Sequence, residues 1–181
     1  MTDSKPGPDG LLANQKEFVE QLQNWWDKGY TDLPWRRSKD PYAIWVSEVM
    51  LQQTQIATVI PYYERWMARF PTVSELAQAS LDDVLKLWLG LGYYSRARNL
   101  HAAAGVVLEK HSGHLPQEVP ELMTLPGIGR YTAGAISSIA FGRSEPVLDG
   151  NVIRVISRLT DLQQDVTSAK TRKQLWYLTS E

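Results

Sequence analysis

The sequence predicts an all-α fold. Apolar residues recur at helical spacing along most of the chain, and no stretch of useful length alternates apolar and polar residues as a half-buried strand would. The connections between these stretches are short and carry proline or glycine. With 181 residues, of which 43% are hydrophobic, the chain can bury a core without disulfides, and it has no cysteine. We expect a flexible tail over residues 1–13 and one helical domain over residues 14–181.

Five helices are predicted in the first half of the chain. Thr72 and Glu75 form the pattern of a capping box, and Ser80 with Asp83 gives a similar helix start. The expected elements are a helix from Asn14, a loop at 31–41, helices at about 42–51 and 56–70, a short helix after Thr72, and a helix from Ser80 that ends at Gly90 and Gly92. The tryptophans expected in the core are Trp25, Trp26, Trp66 and Trp88.

Five further helices are predicted in the second half. The expected spans are about 95–111, a short helix from Pro120 into Leu125, 130–141, a helix capped by Asp149 that runs to about Thr160, and a last helix capped by Thr167. The apolar stripe that begins at Leu175 is cut off by the end of the chain. We interpret this ending as a sign that the chain is a piece of a longer protein.

The charge balance does not by itself indicate a nucleic-acid binder, because the net charge is −1 and the pI about 6.3. Basic residues are clustered, however, and a neutral total can hide a basic face. Arg96 and Arg98 form one such cluster, which fits either phosphate contacts or a solvated surface. Residues 1–10 lack the apolar run of a signal peptide, and no stretch approaches the roughly 20 apolar residues that a membrane helix needs. We therefore expect a cytoplasmic protein with no membrane contact.

The segment LPGIGRYTAGA, at 125–135, carries the strongest functional signal. It predicts a short helix, a tight turn and a second helix. Gly127 and Gly129 allow positive φ and keep side chains out of the turn, so that backbone N–H groups and Arg130 can meet a DNA phosphate. Such a clamp positions DNA without reading its sequence. A Gly-x-Gly turn also occurs at ordinary helix corners, but the full string and the small residues at 132–135 favour the clamp.

Four segments resemble, in the family's order, the signature segments of adenine DNA glycosylases, the MutY family. They are WVSEVMLQQTQ (45–55), GLGYYSRARNLH (90–101), LPGIGRYTAGA (125–135) and VLDGNVIRV (147–155), within a resemblance that extends over about 33–158. The resemblance implies the helix-hairpin-helix DNA glycosylase fold, a six-helix-barrel core plus part of a cluster subdomain, with the hairpin at about 118–141. It also implies a monomeric base-excision repair hydrolase, located with the nucleoid in a bacterial cytoplasm. Its substrate would be double-stranded DNA with adenine mispaired with 8-oxoguanine or guanine.

By this resemblance, Glu48 is the catalytic acid and Asp149 the second catalytic carboxylate. Cleavage of an N-glycosidic bond needs a protonated leaving group and a negative charge near an oxocarbenium-like sugar. Apolar neighbours would raise the pKa of Glu48, which could then protonate N7 of adenine. Asp149 precedes a predicted helix, whose N-terminus favours the ionised carboxylate. Out of context, Glu48 resembles a surface ion-pair partner and Asp149 a plain helix cap; capping and catalysis can coexist at Asp149.

The resemblance also assigns residues around an extruded nucleotide. Gln52, Gln53 and Thr54 form a loop that resembles the DNA-binding, intercalating element of the family. Gln53 is expected to fill the gap in the duplex, and Thr54 to contact the opposite base; a polar turn is the alternative. Leu91 and Tyr93 resemble a second wedge, where an aromatic ring can stack on a base, and half-buried packing is the alternative.

Four more residues are expected around the base and the sugar. Trp35 and Arg36 would line the base pocket, and Tyr131 and Asn151 would complete the site beside Asp149. Related lyases hold a lysine at the position of Tyr131, and a lysine amine can form a Schiff base with the sugar. A tyrosine cannot, so the resemblance implies a monofunctional glycosylase.

The chain departs from the family in its cofactor. Members carry a [4Fe–4S] cluster held by four cysteines that lie C-terminal to these segments, and a further domain that reads 8-oxoguanine. The cluster is therefore expected in the intact family protein, while this chain holds no metal ligands for it.

Three alternatives stay open: an endonuclease III-like lyase, a thymine-mismatch glycosylase, and a non-catalytic helix-hairpin-helix module. Pyrimidines have no N7 to protonate, and phosphate binding needs no paired carboxylates, so Glu48 and Asp149 disfavour all three.

Overall fold

The structure is a computed structural model that describes residues 15–29 and 32–180. Within these residues, all regular secondary structure is helical, so the all-α prediction is confirmed. The helices are α1 (Gln15–Gly29), α2 (Pro41–Leu51), α3 (Ile56–Arg69), α4 (Val73–Gln78), α5 (Leu81–Trp88), α6 (Ser95–Lys110), α7 (Val119–Leu122), α8 (Arg130–Phe141), α9 (Gly150–Leu159) and α10 (Ala169–Leu178), with a 3-10 turn at Pro34–Arg36. Two compact units result. The central unit is Leu33–Val147 with Thr179 and Ser180, and the terminal unit combines the described residues up to Asp32 with Leu148–Leu178.

Helix α2 is the centre of the central unit. It begins at Pro41, which suits a first helical position, and the carboxylate of Asp40 accepts hydrogen bonds from the amides of Tyr42 and Ala43. Most of its residues are buried, because α3, α6 and α8 pack around it. Glu48 is the one acidic residue of this helix.

An aromatic cluster fills the core beside α2. Trp66 and Trp88 are fully buried and meet edge to face, with ring centroids 5.5 Å apart. The indole N–H of Trp66 donates to the hydroxyl of Tyr42, which donates in turn to the carbonyl of Phe70 at 2.9 Å. Burial raises the pKa of Tyr42 well above its ordinary value, and the hydrogen bond from Trp66 partly opposes that shift.

The core prediction is confirmed for Trp66 and Trp88 and wrong for Trp25 and Trp26. The latter two are 65% and 44% exposed. They lie on α1, outside the central unit whose core the other tryptophans fill. Helical spacing had shown which residues share a face of α1, but it could not show whether that face is covered.

Three of the four helix starts that capping patterns predict are confirmed, at Thr72, Ser80 and Asp149. Thr72 and Glu75 form the predicted capping box, and Ser80 accepts the amide of Asp83. The cap predicted at Thr167 is wrong, because its hydroxyl bonds to Asp165 while the hydroxyl of Ser168 accepts the amide of Thr171.

The ends of some elements differ from their predicted positions. Helix α7 stops at Leu122, short of the predicted end at Leu125, and the predicted loop at 31–41 contains the 3-10 turn. The predicted tail at 1–13 and the start at Asn14 lie outside the described residues. No helix among the described residues has the length and apolar character needed to cross a bilayer.

Candidate active site and nucleic-acid interface

The predicted hairpin is formed by α7, a tight turn and α8, and Gly127 is the residue that the turn depends on. Its φ is +76°, in the left-handed region that favours glycine. A Cβ atom added at Gly127 would lie 2.6 Å from the Cβ atom of Asn99 on α6. The amide of Ile128 donates to the carbonyl of Leu125 at 3.2 Å and closes the turn. Gly127 is therefore required both by backbone conformation and by the close approach of α6.

Gly129 has a different role from the predicted one. Its φ is −90°, so the expected positive φ is wrong at this position, because Gly129 is the extended N-cap residue of α8. A Cβ atom added there would meet no atom within 4 Å. The protein itself therefore does not require glycine at 129, and the side chain's absence leaves open space at the N-terminus of a 12-residue helix. Such a terminus carries partial positive charge from its amide groups.

Small residues hold α8 close to its neighbours. A Cβ atom added at Gly134 would lie 2.8 Å from the carbonyl oxygen of Pro146, so that backbone can approach only a glycine. On the α2 side, the amide of the Gln52 side chain donates to the hydroxyl of Thr132 at 3.3 Å. Helix α8 thus links the hairpin turn to the helix that carries Glu48.

Glu48 lies half-buried on α2, among the apolar neighbours that the sequence predicts. Trp45 and Val46 are fully buried, and Val49 and Met50 are 5% and 1% exposed. Tyr131, the second residue of α8, is also half-buried. Both residues belong to the central unit.

The loop at residues 52–55, here called the α2–α3 loop, presents Gln53 to solvent. Gln53 is exposed and has a φ of +58°, which is uncommon for a residue other than glycine. Thr54 is half-buried and donates its hydroxyl to the carbonyl of Gln52. The exposed position of Gln53 agrees with its predicted contact with DNA, which stays a prediction.

The loop at residues 89–94, here called the α5–α6 loop, separates the two residues of the predicted second wedge. Tyr93 is 60% exposed with a φ of +46°, whereas Leu91 is only 5% exposed. A wedge role for the Leu91 side chain would require it to leave the core. Among the two, Tyr93 is the residue that the structure leaves accessible to a base.

Arg96 lies in a different environment from the one predicted. Its side chain is 8% exposed and donates hydrogen bonds to backbone carbonyls, so the interpretation as a phosphate contact or a solvated face is wrong. Burial lowers the pKa of its guanidinium from the ordinary value, and the neighbouring Tyr93 opposes this shift. A signal was present: Arg96, Leu100, Ala103 and Val107 share one helical stripe, and all are buried.

In the terminal unit, the predicted cap at Asp149 is confirmed. Its carboxylate accepts the amide of Val152 at 2.7 Å and the side-chain amide of Asn151 at 3.1 Å. The oxygen of the Asn151 amide accepts a hydrogen bond from Arg154 at 3.3 Å. Asn151 therefore contacts the carboxylate of Asp149 directly, and the roles of both residues in catalysis stay predictions.

The residues expected in the base pocket differ in burial. Trp35 lies in the 3-10 turn, is 8% exposed and packs edge to face on Tyr63, with ring centroids 5.4 Å apart. Arg36 is exposed. Their contact with a base stays a prediction.

The chain does not fit a cysteine-ligated cluster. It contains no cysteine, and no group of three or more His, Asp or Glu residues in the described part of the chain is arranged to hold a metal ion. Any cluster ligands of the family kind would have to come from outside these 181 residues.

Comparison with known proteins identifies relatives of the chain. Residues 46–181 match the model of the HhH-GPD superfamily of base excision DNA repair proteins. The chain is 49% identical over 179 residues to the adenine DNA glycosylase of Rattus norvegicus, a match that covers 94% of this chain and 35% of the relative. It is 42% identical over 160 residues to the adenine DNA glycosylase of Buchnera aphidicola subsp. Acyrthosiphon pisum, covering 88% of this chain and 46% of the relative. Among solved structures, a thermostable thymine-DNA glycosylase is similar with a TM-score of 0.80 and 27% identity, over 91% of this chain and 76% of that chain.

The chain therefore belongs to the HhH-GPD superfamily of base excision DNA repair proteins, and the predicted helix-hairpin-helix glycosylase fold is confirmed. Within that superfamily, the predicted relationship to the MutY family of adenine DNA glycosylases is confirmed as well. The chain spans between about a third and a half of the length of these curated relatives.

Proposed function

We propose that the protein is a monofunctional DNA glycosylase that removes adenine mispaired with 8-oxoguanine or guanine. The observation that carries this proposal is the position of Glu48. It is the one acidic residue of an otherwise apolar helix, and that helix packs directly on the helix that follows the hairpin turn. A carboxyl group in an apolar setting favours its neutral form and can donate a proton.

In the proposed reaction, the Glu48 carboxyl group donates its proton to N7 of adenine. The bond between N9 and C1′ of the sugar then breaks, its electron pair leaves with the neutral base, and C1′ becomes oxocarbenium-like. The Asp149 carboxylate, oriented by Asn151, would stabilise this cation. Water adds to C1′, and its proton returns to Glu48. Tyr131 offers no amine for a Schiff base, which supports hydrolysis without strand cleavage.

The hairpin would hold the duplex while the base is extruded. The helix N-terminus at Gly129 offers backbone donors to one phosphate, with Arg130 beside it, and such contacts do not depend on base sequence. Gln53 and Tyr93 are the exposed residues proposed to occupy the duplex around the flipped nucleotide, and Thr54 is proposed to contact the opposite base.

A thymine-mismatch glycosylase is the second candidate, because one similar solved structure is named a thymine-DNA glycosylase. Thymine, the base that such an enzyme removes, has no purine N7 to receive a proton from Glu48. The deciding experiment is a single-turnover excision assay of the full-length protein on duplexes with A opposite 8-oxoguanine, A opposite G, and T opposite G. The proposal requires release of adenine from the first two duplexes and no release of thymine. Preferential release of thymine would replace it with the second candidate.

A further inference from the structure

We propose that Arg96 is a positioning residue that joins the α2–α3 loop and the α5–α6 loop into one rigid element, and so fixes the spacing between Gln53 and Tyr93. The loop-joining role rests on contacts within the central unit alone. Its consequence for DNA rests on the proposed function.

The first contact surface of the Arg96 guanidinium is the C-terminal end of α2 and the loop after it. The Nη1 atom donates to three carbonyl oxygens: Val49 at 2.9 Å, Met50 at 2.8 Å and Gln52 at 2.6 Å. Carbonyls at the end of a helix lack intrahelical donors and carry partial negative charge. The buried guanidinium supplies these carbonyls with N–H donors and places a positive charge beside them. Arg96 therefore acts as a side-chain cap at the C-terminal end of α2.

The second contact surface is divided between the two loops. The Nη2 atom donates to the hydroxyl of Thr54 at 3.2 Å and to the carbonyls of Leu91 and Gly92, each at 3.3 Å. The guanidinium carbon also lies 5.3 Å from the ring centroids of Trp88 and Tyr93. A single planar guanidinium therefore bonds to Thr54 and Leu91, which are 37 positions apart in sequence.

Backbone conformation explains why the loops need such support. Gln53 and Tyr93 are the two residues of these loops that adopt positive φ without being glycine. A side chain disfavours this conformation, which persists only where the surroundings impose it. Arg96 bonds to the residues on either side of Gln53 and to the two residues before Tyr93. It therefore holds both strained residues in place from the buried side.

Lysine could not replace Arg96 in this role. The six acceptors are divided between two nitrogens of a rigid plane, three on each. A lysine has one ammonium group with three donors and no planar fork. It would keep the charge near one loop and lose the bridge to the other.

The test uses amide hydrogen exchange of the full-length protein without DNA, so that it does not depend on the proposed function. The reporters are the amide of Thr54, bonded to the carbonyl of Leu51, and the amide of Leu91, bonded to the carbonyl of Trp88. The amide of Ile128 in the hairpin is the reference. In Arg96→Met, exchange should rise roughly tenfold or more at both reporters relative to the reference.

Two further variants separate positioning from loss of stability. Val107→Ala makes a cavity in the same helix away from both loops, and should change the three amides alike. Thr54→Val removes one acceptor in the α2–α3 loop and should raise exchange at Leu91 in the other loop. Thr54→Val and Arg96→Lys also keep the test valid if Arg96→Met does not fold. A response of all three amides to Arg96→Met that equals the Val107→Ala response, or an effect of Thr54→Val confined to its own loop, would overturn the proposal.

A second measurement tests the consequence for DNA. We would follow fluorescence of 2-aminopurine placed beside an adenine opposite 8-oxoguanine, which reports unstacking around the target. Arg96→Met should reduce unstacking and single-turnover excision together, while affinity for undamaged duplex stays within about twofold, because the hairpin is untouched. If the loops loosen but unstacking is normal, the link to DNA is wrong. If the wild type shows coupled loops but releases no adenine, the proposed function fails and the loop-joining role stands.

Discussion

At the scale of single residues, Glu48 is a carboxyl group in an apolar setting, and the proposed chemistry requires that group to donate a proton. Glu48 is half-buried beside apolar side chains, and partial burial of this kind disfavours the ionised form of a carboxyl group. We expect Glu48→Gln to fold, because glutamine has nearly the same size and shape as glutamate.

The same substitution should abolish adenine excision and leave duplex affinity largely unchanged. The amide keeps the size of the side chain but has no acidic proton, and loss of general-acid catalysis costs on the order of 10² to 10⁴ in rate. Single-turnover kinetics and duplex titration of the same preparation measure the two effects separately. A Glu48→Gln variant that excises adenine at nearly the wild-type rate would refute the general-acid assignment.

Tyr131 is the residue that decides between hydrolase and lyase chemistry in the proposal. Tyr131→Phe should slow the chemical step, because the hydroxyl is proposed to hydrogen-bond in the site. Tyr131→Lys should gain a product that borohydride traps, because an amine can form an imine at C1′. Gel analysis of trapped complexes and of strand cleavage checks both. Efficient trapping by the wild type would instead indicate a lyase.

At the scale of elements, the hairpin contains two glycines that the structure distinguishes. Gly127 has positive φ and faces Asn99 at close range, whereas Gly129 has ordinary φ and open space around it. A substitution at Gly127 therefore tests whether the fold needs glycine there, and a substitution at Gly129 tests whether a DNA phosphate approaches that residue.

Gly129→Ala should leave thermal stability nearly unchanged but weaken duplex binding by about tenfold, because the added methyl group occupies the space proposed for a phosphate. The loss should be equal for matched and mismatched duplexes, since phosphate contacts carry no sequence information. Gly127→Val is the contrasting variant and should lower both stability and binding. Unchanged affinity of Gly129→Ala for every duplex would show that the phosphate does not approach this turn.

Helix α6 shows how an element can be predicted correctly while one of its residues is misread. Its span, Ser95–Lys110, matches the predicted 95–111. Arg96 lies in a stripe of α6 whose residues are buried. Because arginine is usually exposed, the sequence did not indicate that Arg96 shares this burial. Burial was possible because α2 offered unpaired carbonyls at its end.

At the scale of the whole molecule, the aromatic core of the central unit gives the protein a definite response to alkaline pH. Burial, with a smaller effect of the charge on Asp40, raises the pKa of Tyr63 from 10.0 to about 12. Because the native pKa lies above the unfolded one, the neutral phenol contributes stability that is fully present below pH 10 and is lost as the pH rises to about 12.

Tyr63→Phe should therefore flatten the fall in unfolding free energy between pH 10 and about 12. Phenylalanine keeps the edge-to-face contact with Trp35, so the variant should fold. Tyr42 retains its raised pKa in this variant and should account for the slope that remains. Urea unfolding across this range provides the measurement, and identical slopes for the two proteins would contradict the assignment to Tyr63.

The proposed catalytic residues are divided between the two units. Glu48 and Tyr131 belong to the central unit, and Asp149 and Asn151 to the terminal unit. The sequence resemblance named all four, because each lies in a signature segment. The roles of all four stay predictions.

Local interactions let the sequence by itself determine the class of fold, most helix starts and the existence of the hairpin. The capping bonds of Thr72, Ser80 and Asp149 each join residues three positions apart, so a short window of sequence contains both partners. The tertiary structure alone decided that Arg96 is buried and Trp25 exposed, and that Asn99 closes the space at Gly127. Asn99 is 28 residues from Gly127, and Val49 is 47 residues from Arg96. Periodicity shows which residues share a face but not what covers that face.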